Sequence, residues 1–486
     1  MRVLFVQPRC AEAVNLEYVS LQFPLNLGYL AATAAAAGHD VRLIDLNIQP
    51  RAVLATMIEG FAPEMVGVTA MTANYPIAAR VISEVRRRAP RAVTVLGGAH
   101  ATALPEEILA ELPELDYVVV GEGEATLVEL ARIVERDGDP ALVRGLAWRD
   151  KGTPRLNPRR EFSKELDSLP FPARDLIPPS RYDRQHASRG IPRRSRRIAE
   201  LVTTRGCPHR CIFCASHICT GRTLRARGVA NVVAEVDECI ARYGVQHLSI
   251  EDDAFTFHRE NALALCARFA ERGLTWNCNS RVDNVDAELL RKAAASGCRK
   301  VSFGVESGSP RILAKTGKGV TLDEVREAVG QAKAAGIRFV ECTFLLGAHP
   351  DETVEDIEAT EALMYELNAD LTSVCVTCPY PGTAFASLLR RRGLLPGGDW
   401  SEYVLFGDVR PYERLSYLTR AQLWYHQKRM LRGFYGSPRY VMGQLKKLRS
   451  AEEAWYFARM GALFAREFLI PDRLRARLKP GGGCHV

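Results

Sequence analysis

Three closely spaced cysteines constrain this chain more than any other feature. Cys207, Cys211 and Cys214 stand in LVTTRGCPHRCIFC, after an apolar, β-branched run (residues 198–204) that ends at Gly206. The C-x3-C-x2-C spacing lets one short loop wrap three thiolates round one centre. Thiolates are soft ligands that suit zinc or an iron–sulfur cluster. Tetrahedral zinc takes a fourth ligand, for which Cys219, His209 and His217 are at hand. A cubane held by only three cysteines leaves one iron open to a substrate or cofactor.

The rest of the chain must supply a setting for that centre. At 486 residues it has room for two or three domains, at ~100–200 residues each. No run approaches the ~20 apolar residues of a membrane span, and MRVLFVQPR lacks the features of a signal peptide. The expected location is the cytoplasm. Several of the 13 cysteines (Cys239, Cys266, Cys298, Cys342) sit singly in apolar runs, as small buried hydrophobes do in a reducing compartment. The net charge of +8 is modest, and the arginines of residues 189–197 read as a solvated loop. No nucleic-acid motif accompanies them, so no nucleic-acid partner is expected.

Residues 1–145 alternate short apolar runs (2–7, 41–46, 65–69, 92–96, 117–120) with helical stretches (27–37, 75–88). This pattern predicts a doubly wound, Rossmann-like parallel sheet, whose ligands sit beyond the carboxyl ends of its strands. The loops expected there hold small residues: Thr69-Ala70-Met71-Thr72, Gly97-Gly98-Ala99-His100 and Gly121-Glu122-Gly123-Glu124. Small side chains let a large flat ligand approach the backbone. No G-x-G-x-x-G follows the first strand, so a dinucleotide is not indicated.

Residues 146–197 read as an ordered linker, anchored by Phe162, Leu166, Leu169 and Phe171. From residue 198 to about 395 six further βα units predict a partial (βα)6 TIM-type barrel with its active site at the carboxyl ends of the strands. Glu251-Asp252-Asp253, Asn279-Ser280-Arg281 and Glu306-Ser307-Gly308 fall at those ends. Each could instead cap a helix. Residues 396–486 lose the alternation and become helical, basic and aromatic.

The cysteine spacing, Phe213 just before the last cysteine and the position after a strand resemble the radical S-adenosylmethionine superfamily. Pro24–Leu30 (PLNLGYL), GGAHAT, DYVVVGEGE and LDSLPFPARDLI resemble the cobalamin-binding domain that precedes such barrels in one subfamily, the class B radical methyltransferases. Leu345-Leu346-Gly347, Pro350–Thr353 and Pro379–Thr383 resemble it too, although Ala348-His349 and Asp351 depart from the usual G-x-P-G-E-T turn. The likeness covers residues 1 to about 395.

The resemblance implies three cofactors: a [4Fe-4S] cluster on the three cysteines, S-adenosylmethionine on its open iron, and cobalamin. It implies S-adenosylmethionine contacts from Phe213, Glu251, Asp252, Asp253, Ser280, Arg281 and Glu306. Cobalamin contacts would come from Leu25, Asn26, Thr69, Met71, Thr72, Gly97, Gly98, His100, Gly121, Glu122 and Gly123. The cobalt-ligating D-x-H-x-x-G sequence is missing, as is usual in the subfamily; His100 could approach the cobalt, although a role in its turn is favoured. The implied activity is methyl transfer to an unactivated carbon of a small metabolite through a 5′-deoxyadenosyl radical, with electrons from a flavodoxin- or ferredoxin-type donor. The alternatives are a non-methylating cyclisation or rearrangement and a non-enzymatic metal-binding protein. The C-terminal region would cap the barrel; a basic, aromatic helix can also lie on a membrane and admit a lipid-like substrate. Cys375-x-x-Cys378 and Cys484-His485 are further, weaker metal motifs.

Overall fold

A computed structural model describes residues 1–10, 21–182, 197–395, 397–404 and 411–466. The arginines at 189–196, Phe406 and the Cys484-His485 pair lie outside them. The first sheet begins with β1 (Arg2–Gln7), whose side chains alternate between two cores, Val3 and Phe5 on one face, Leu4 and Val6 on the other. That period of two is what a strand covered on both faces imposes. It pairs in parallel with β2 (Asp40–Asp45) and β3 (Met65–Thr69); β4 (Val93–Gly97) and β5 (Tyr117–Val119) continue the parallel order 2-1-3-4-5. The helices Leu25–Ala36 and Glu124–Arg136 cover one face, and Tyr75–Arg88 packs on the other.

Two further strands, β6 (Leu146–Asp150) and β7 (Thr153–Leu156), join the sheet antiparallel at its edge. The sheet therefore reaches eleven residues past the expected boundary at 145, and the first part of the expected linker is a hairpin. Its turn is Lys151-Gly152, with φ of 48° and 88°, a two-residue turn whose positive φ angles match the right-handed twist of the paired strands. Pro154 is tolerated because β7 is an edge strand.

The second sheet orders β8 (Ile198–Leu201), β11 (His247–Ile250), β12 (Thr275–Ser280), β13 (Cys298–Glu306), β14 (Phe339–Leu346) and β15 (Leu371–Val376), all parallel and in sequence order. The six expected βα strands are all present. The apolar run that opens the barrel is interrupted: β8 stops at Leu201, and β9 (Thr204–Arg205) turns away to pair with β10 (Arg225–Ala226).

Along the six strands, one set of alternate residues (Leu248, Trp276, Val301, Val340) packs under the helices. The other set is polar and bonded internally: His247 bridges Thr275 and Asn277 at 2.8 and 2.7 Å, and Lys300, Ser302 and Ser373 all bond Glu341. The inside of the partial barrel is thus a satisfied polar ladder.

The C-terminal helix Arg420–Tyr435 lies against β15, the exposed edge of this sheet. Tyr435 Oη takes Thr372 N–H at 2.9 Å and donates to Thr372 O at 2.6 Å, and Gln427 Nε2 donates to Val374 O at 2.6 Å. An unpaired strand edge is an aggregation hazard, and here side chains supply its missing partners. No described helix is long and apolar enough to cross a membrane.

Candidate active site

The carboxyl ends of both sheets open onto one cavity of about 600 Å³. The first domain contributes Leu25, Asn26, Thr69, Met71 and the glycine loops at 97–98 and 121–123; the barrel contributes Arg205, Gly206, Ser216, Cys219, Glu251 and Asp253.

On the first wall the backbone is bare where β4 and β5 end. Gly98 has φ +95°, and a Cβ there would lie 2.6 Å from Ala70 O, so only glycine fits this turn. Gly121 (φ +82°) donates its N–H to Thr102 Oγ1 at 3.1 Å, and Asn26 Nδ2 donates to Thr69 Oγ1 at 3.0 Å. A face of glycines with few polar groups suits a broad macrocycle. Two expected contacts are elsewhere. Thr72 is buried in the single turn Thr72–Asn74 and does not line the cavity. His100 also lies off the wall, packed between Tyr75 and Trp400 at centroid distances of 4.4 and 4.7 Å. Neither of its ring nitrogens has a partner, and burial pushes its pKa down to about 4.

On the second wall the cysteine loop is tied at both ends. Gly206 (φ +91°) brings its Cα so close to the return strand that a Cβ would stand 2.2 Å from Thr223 O. Ile212 N–H bonds Thr316 O, and Phe385 N–H bonds Ile212 O, each at 2.9 Å. Cys207, Cys211 and Cys214 are all half-buried and free of disulfides, and burial raises the thiols of Cys207 and Cys214. Phe213 between them packs on the barrel core.

The other three possible zinc ligands are engaged elsewhere: Cys219 lies beside Thr102, His209 is stacked on Phe257 at 5.5 Å, and His217 bonds the backbone of Cys214. Among the described residues, no three His, Cys, Asp or Glu side chains are gathered as closely as one ion requires. A cluster, larger than an ion, does not ask for that closeness. Three soft donors on one loop fit it; the cysteines themselves do not line the cavity, which their loop meets through its flanks, Gly206 and Ala215-Ser216. Cys375 and Cys378 have no third ligand for a second ion among these residues.

The polar strand ends divide. Glu251 and Asp253 line the cavity, Glu251 accepting from Ser249 Oγ at 2.6 Å and Asp253 accepting from Ser216 Oγ. Asp252 points the other way. It is buried, accepts Thr203 N–H at 2.7 Å, Thr203 Oγ1–H and Thr204 Oγ1–H at 2.9 Å, and burial raises its pKa to about 6. It buckles β11 to the segment just before the cysteines.

Ser280, Arg281 and Glu306 do not line the cavity either. Ser280 bonds Thr256; Arg281 is paired to Asp283 at 2.8 Å and Lys318 O at 2.7 Å; Glu306 is paired to Lys318 Nζ at 2.8 Å. Glu306 holds φ +70°, a conformation non-glycine residues adopt at a cost. Arg205, Ser216 and Cys219 reach the cavity without having been expected there. Arg205 had a signal: it is a lone charge between a strand and the first cysteine.

Residues 12–131 match the B12 binding domain family, and residues 201–364 match the radical SAM superfamily. An uncharacterised methyltransferase of Pyrococcus horikoshii is 31% identical over 446 residues, 91% of this chain and 94% of the relative. The solved structure of OxsB, a cobalamin-dependent S-adenosylmethionine radical enzyme, superposes with a TM-score of 0.73 at 15% identity, covering 96% of this chain and 72% of that one. That of TsrM, a radical S-adenosylmethionine methyltransferase from Kitasatospora setae, gives 0.66 at 22% identity, with 80% and 75% covered. These two likenesses are of fold. Two cofactor domains in this order, together with a relative that matches nearly end to end, place the chain in the cobalamin-dependent radical S-adenosylmethionine methyltransferase family.

Proposed function

We propose that this enzyme moves a methyl group from S-adenosylmethionine, by way of cobalamin, to an unactivated carbon of a small organic metabolite. The observation that carries this reading is the single cavity: the glycine loops of the first domain and the flank of the cysteine loop form its opposite walls. When bound, the reduced cluster with S-adenosylmethionine supplies a hydrogen-abstracting radical, and the cobalamin supplies a methyl group. Hard chemistry of this kind belongs to the cofactors; the protein positions them and excludes water.

Cys207, Cys211 and Cys214 would hold the cluster. Glu251 and Asp253 would face the amino group of S-adenosylmethionine, and Gly97, Gly98, Gly121 and Gly123 would let the macrocycle lie on the backbone. Arg210 and Arg222, exposed on the outer side of the cysteine loop, would receive an acidic flavodoxin- or ferredoxin-type donor. Substrate screening under anaerobic turnover with a chemical reductant tests the reading. A product heavier than its substrate by one CH2 supports it; a substrate consumed with no gain of carbon favours ring closure or rearrangement instead.

A lipid-like substrate is a second reading, favoured by the C-terminal surface. The helix Pro438–Lys447 exposes Val441, Met442 and Leu445 in one stripe, with Arg439 and Lys446 beside it, and Trp455 is exposed on the next helix. Residues 420–466 hold ten Arg and Lys against two Glu, enough to account for the net +8 of the whole chain. Apolar residues flanked by cations suit an anionic membrane surface. Co-sedimentation with phosphatidylglycerol vesicles, lost on Val441→Ser/Leu445→Ser, is expected; no binding at low salt would contradict it.

A further inference from the structure

Arg205 and Arg225 stand directly opposite each other on the ribbon β9–β10, which closes the base of the cysteine loop. Like charges in that position repel, and Arg225 is only 7% exposed, so water does little to screen them. The compensating charge comes from the other domain. Glu122, in the glycine loop after β5, sits between the two guanidinium groups. Its Oε1 accepts from Arg205 Nη1 at 3.2 Å and Arg225 Nη2 at 2.9 Å; its Oε2 accepts from Arg225 Nη1 at 2.9 Å and Ser163 N at 3.2 Å.

Glu124 takes the remaining Arg205 Nη2 at 2.8 Å. One ring lies over each guanidinium, Tyr29 over Arg205 at 5.1 Å and Phe162 over Arg225 at 5.2 Å. Four contacts occupy the carboxylate of Glu122. Although it lines the cavity, its charge is already committed to the barrel and not to a ligand.

We propose that Glu122, Arg205 and Arg225 form a positioning clamp that couples the cobalamin loop to the cluster loop, so that filling one cofactor site tightens the other. Gly121 and Gly123, on which the macrocycle would rest, flank Glu122 in sequence; fixing that loop fixes the carboxylate that neutralises the ribbon beneath the cysteines. A coupling of this kind is reciprocal by thermodynamic linkage. The proposal rests on the cofactor assignment above.

The test is an equilibrium titration of hydroxocobalamin into the full-length chain, with and without its reconstituted cluster. In the wild type the cluster should tighten binding about tenfold, within the ~5–150-fold range usual for coupled sites. In Glu122→Gln the two dissociation constants should coincide. Glu122→Gln/Arg225→Gln restores charge balance without the bridge; it should fold as the wild type does and also show no cluster dependence. Equal dissociation constants in the wild type, or an undiminished difference in either variant, would overturn the clamp alone. A wild type that takes up iron and never binds cobalamin would overturn the cofactor assignment, and the coupling with it.

Discussion

His100 is held neutral by its surroundings. Between Tyr75 and Trp400, with no partner for either nitrogen, its protonated form is disfavoured and its pKa falls to about 4 from an ordinary 6.5. The sign follows: a base with a depressed folded pKa contributes stability that is fully present above pH 6.5 and is lost as pH falls toward 4. The loss amounts to at most ~3 kcal/mol. His100→Phe should keep the melting temperature at pH 7 and flatten its decline between pH 6.5 and 4; an unchanged decline would contradict the account.

The cysteines separate in the same way. Cys207→Ala, Cys211→Ala or Cys214→Ala should abolish both cluster formation and S-adenosylmethionine cleavage, whereas Cys219→Ala, beside Thr102, should retain iron on reconstitution. At this scale the cysteines were legible because their spacing alone demands one loop. The run Glu251-Asp252-Asp253 was less so, since all three were expected at one site. All three lie in the turn just past β11; Asp252 is drawn back to Thr203 and Thr204, and only Glu251 and Asp253 reach the cavity.

Among the elements, the turn at Gly206 carries the most. Its φ of +91° and the 2.2 Å approach to Thr223 O leave no room for a side chain, and the left-handed conformation alone costs a non-glycine residue ~1–2 kcal/mol. Gly206→Ala should fold its first domain and fail to hold iron on reconstitution; a full cluster in that variant would show that the turn is not needed. The parallel strands were readable from alternation of apolar runs and helices. The hairpin β6–β7 was not, because LAWRD and TPRL carry charges and a proline that suit an edge strand but resemble a linker. The C-terminal helices read as helices. Their place along β15 depends on tertiary hydrogen bonds from Tyr435 and Gln427, which no local pattern announces.

For the whole molecule, function depends on two sheets presenting their carboxyl ends to the same space. Each half follows the rule for parallel α/β folds; neither half's pattern says that the two mouths meet. Paired charges hold the meeting in place. Besides the clamp at Glu122, buried Glu235 binds Arg174 at 2.6 Å and Arg227 at 2.5 Å, and Arg227 reaches Tyr29 of the first domain at 3.4 Å. Removing one partner of such a buried pair strands the other charge.

The measurement that tests this arrangement most directly is anaerobic reconstitution of the full chain with iron, sulfide and hydroxocobalamin, followed by metal analysis and an optical spectrum. The account predicts about four iron, as a three-cysteine cubane requires, and one cobalamin retained on the same chain after gel filtration. Zinc in place of iron, or iron without cobalamin, would contradict it.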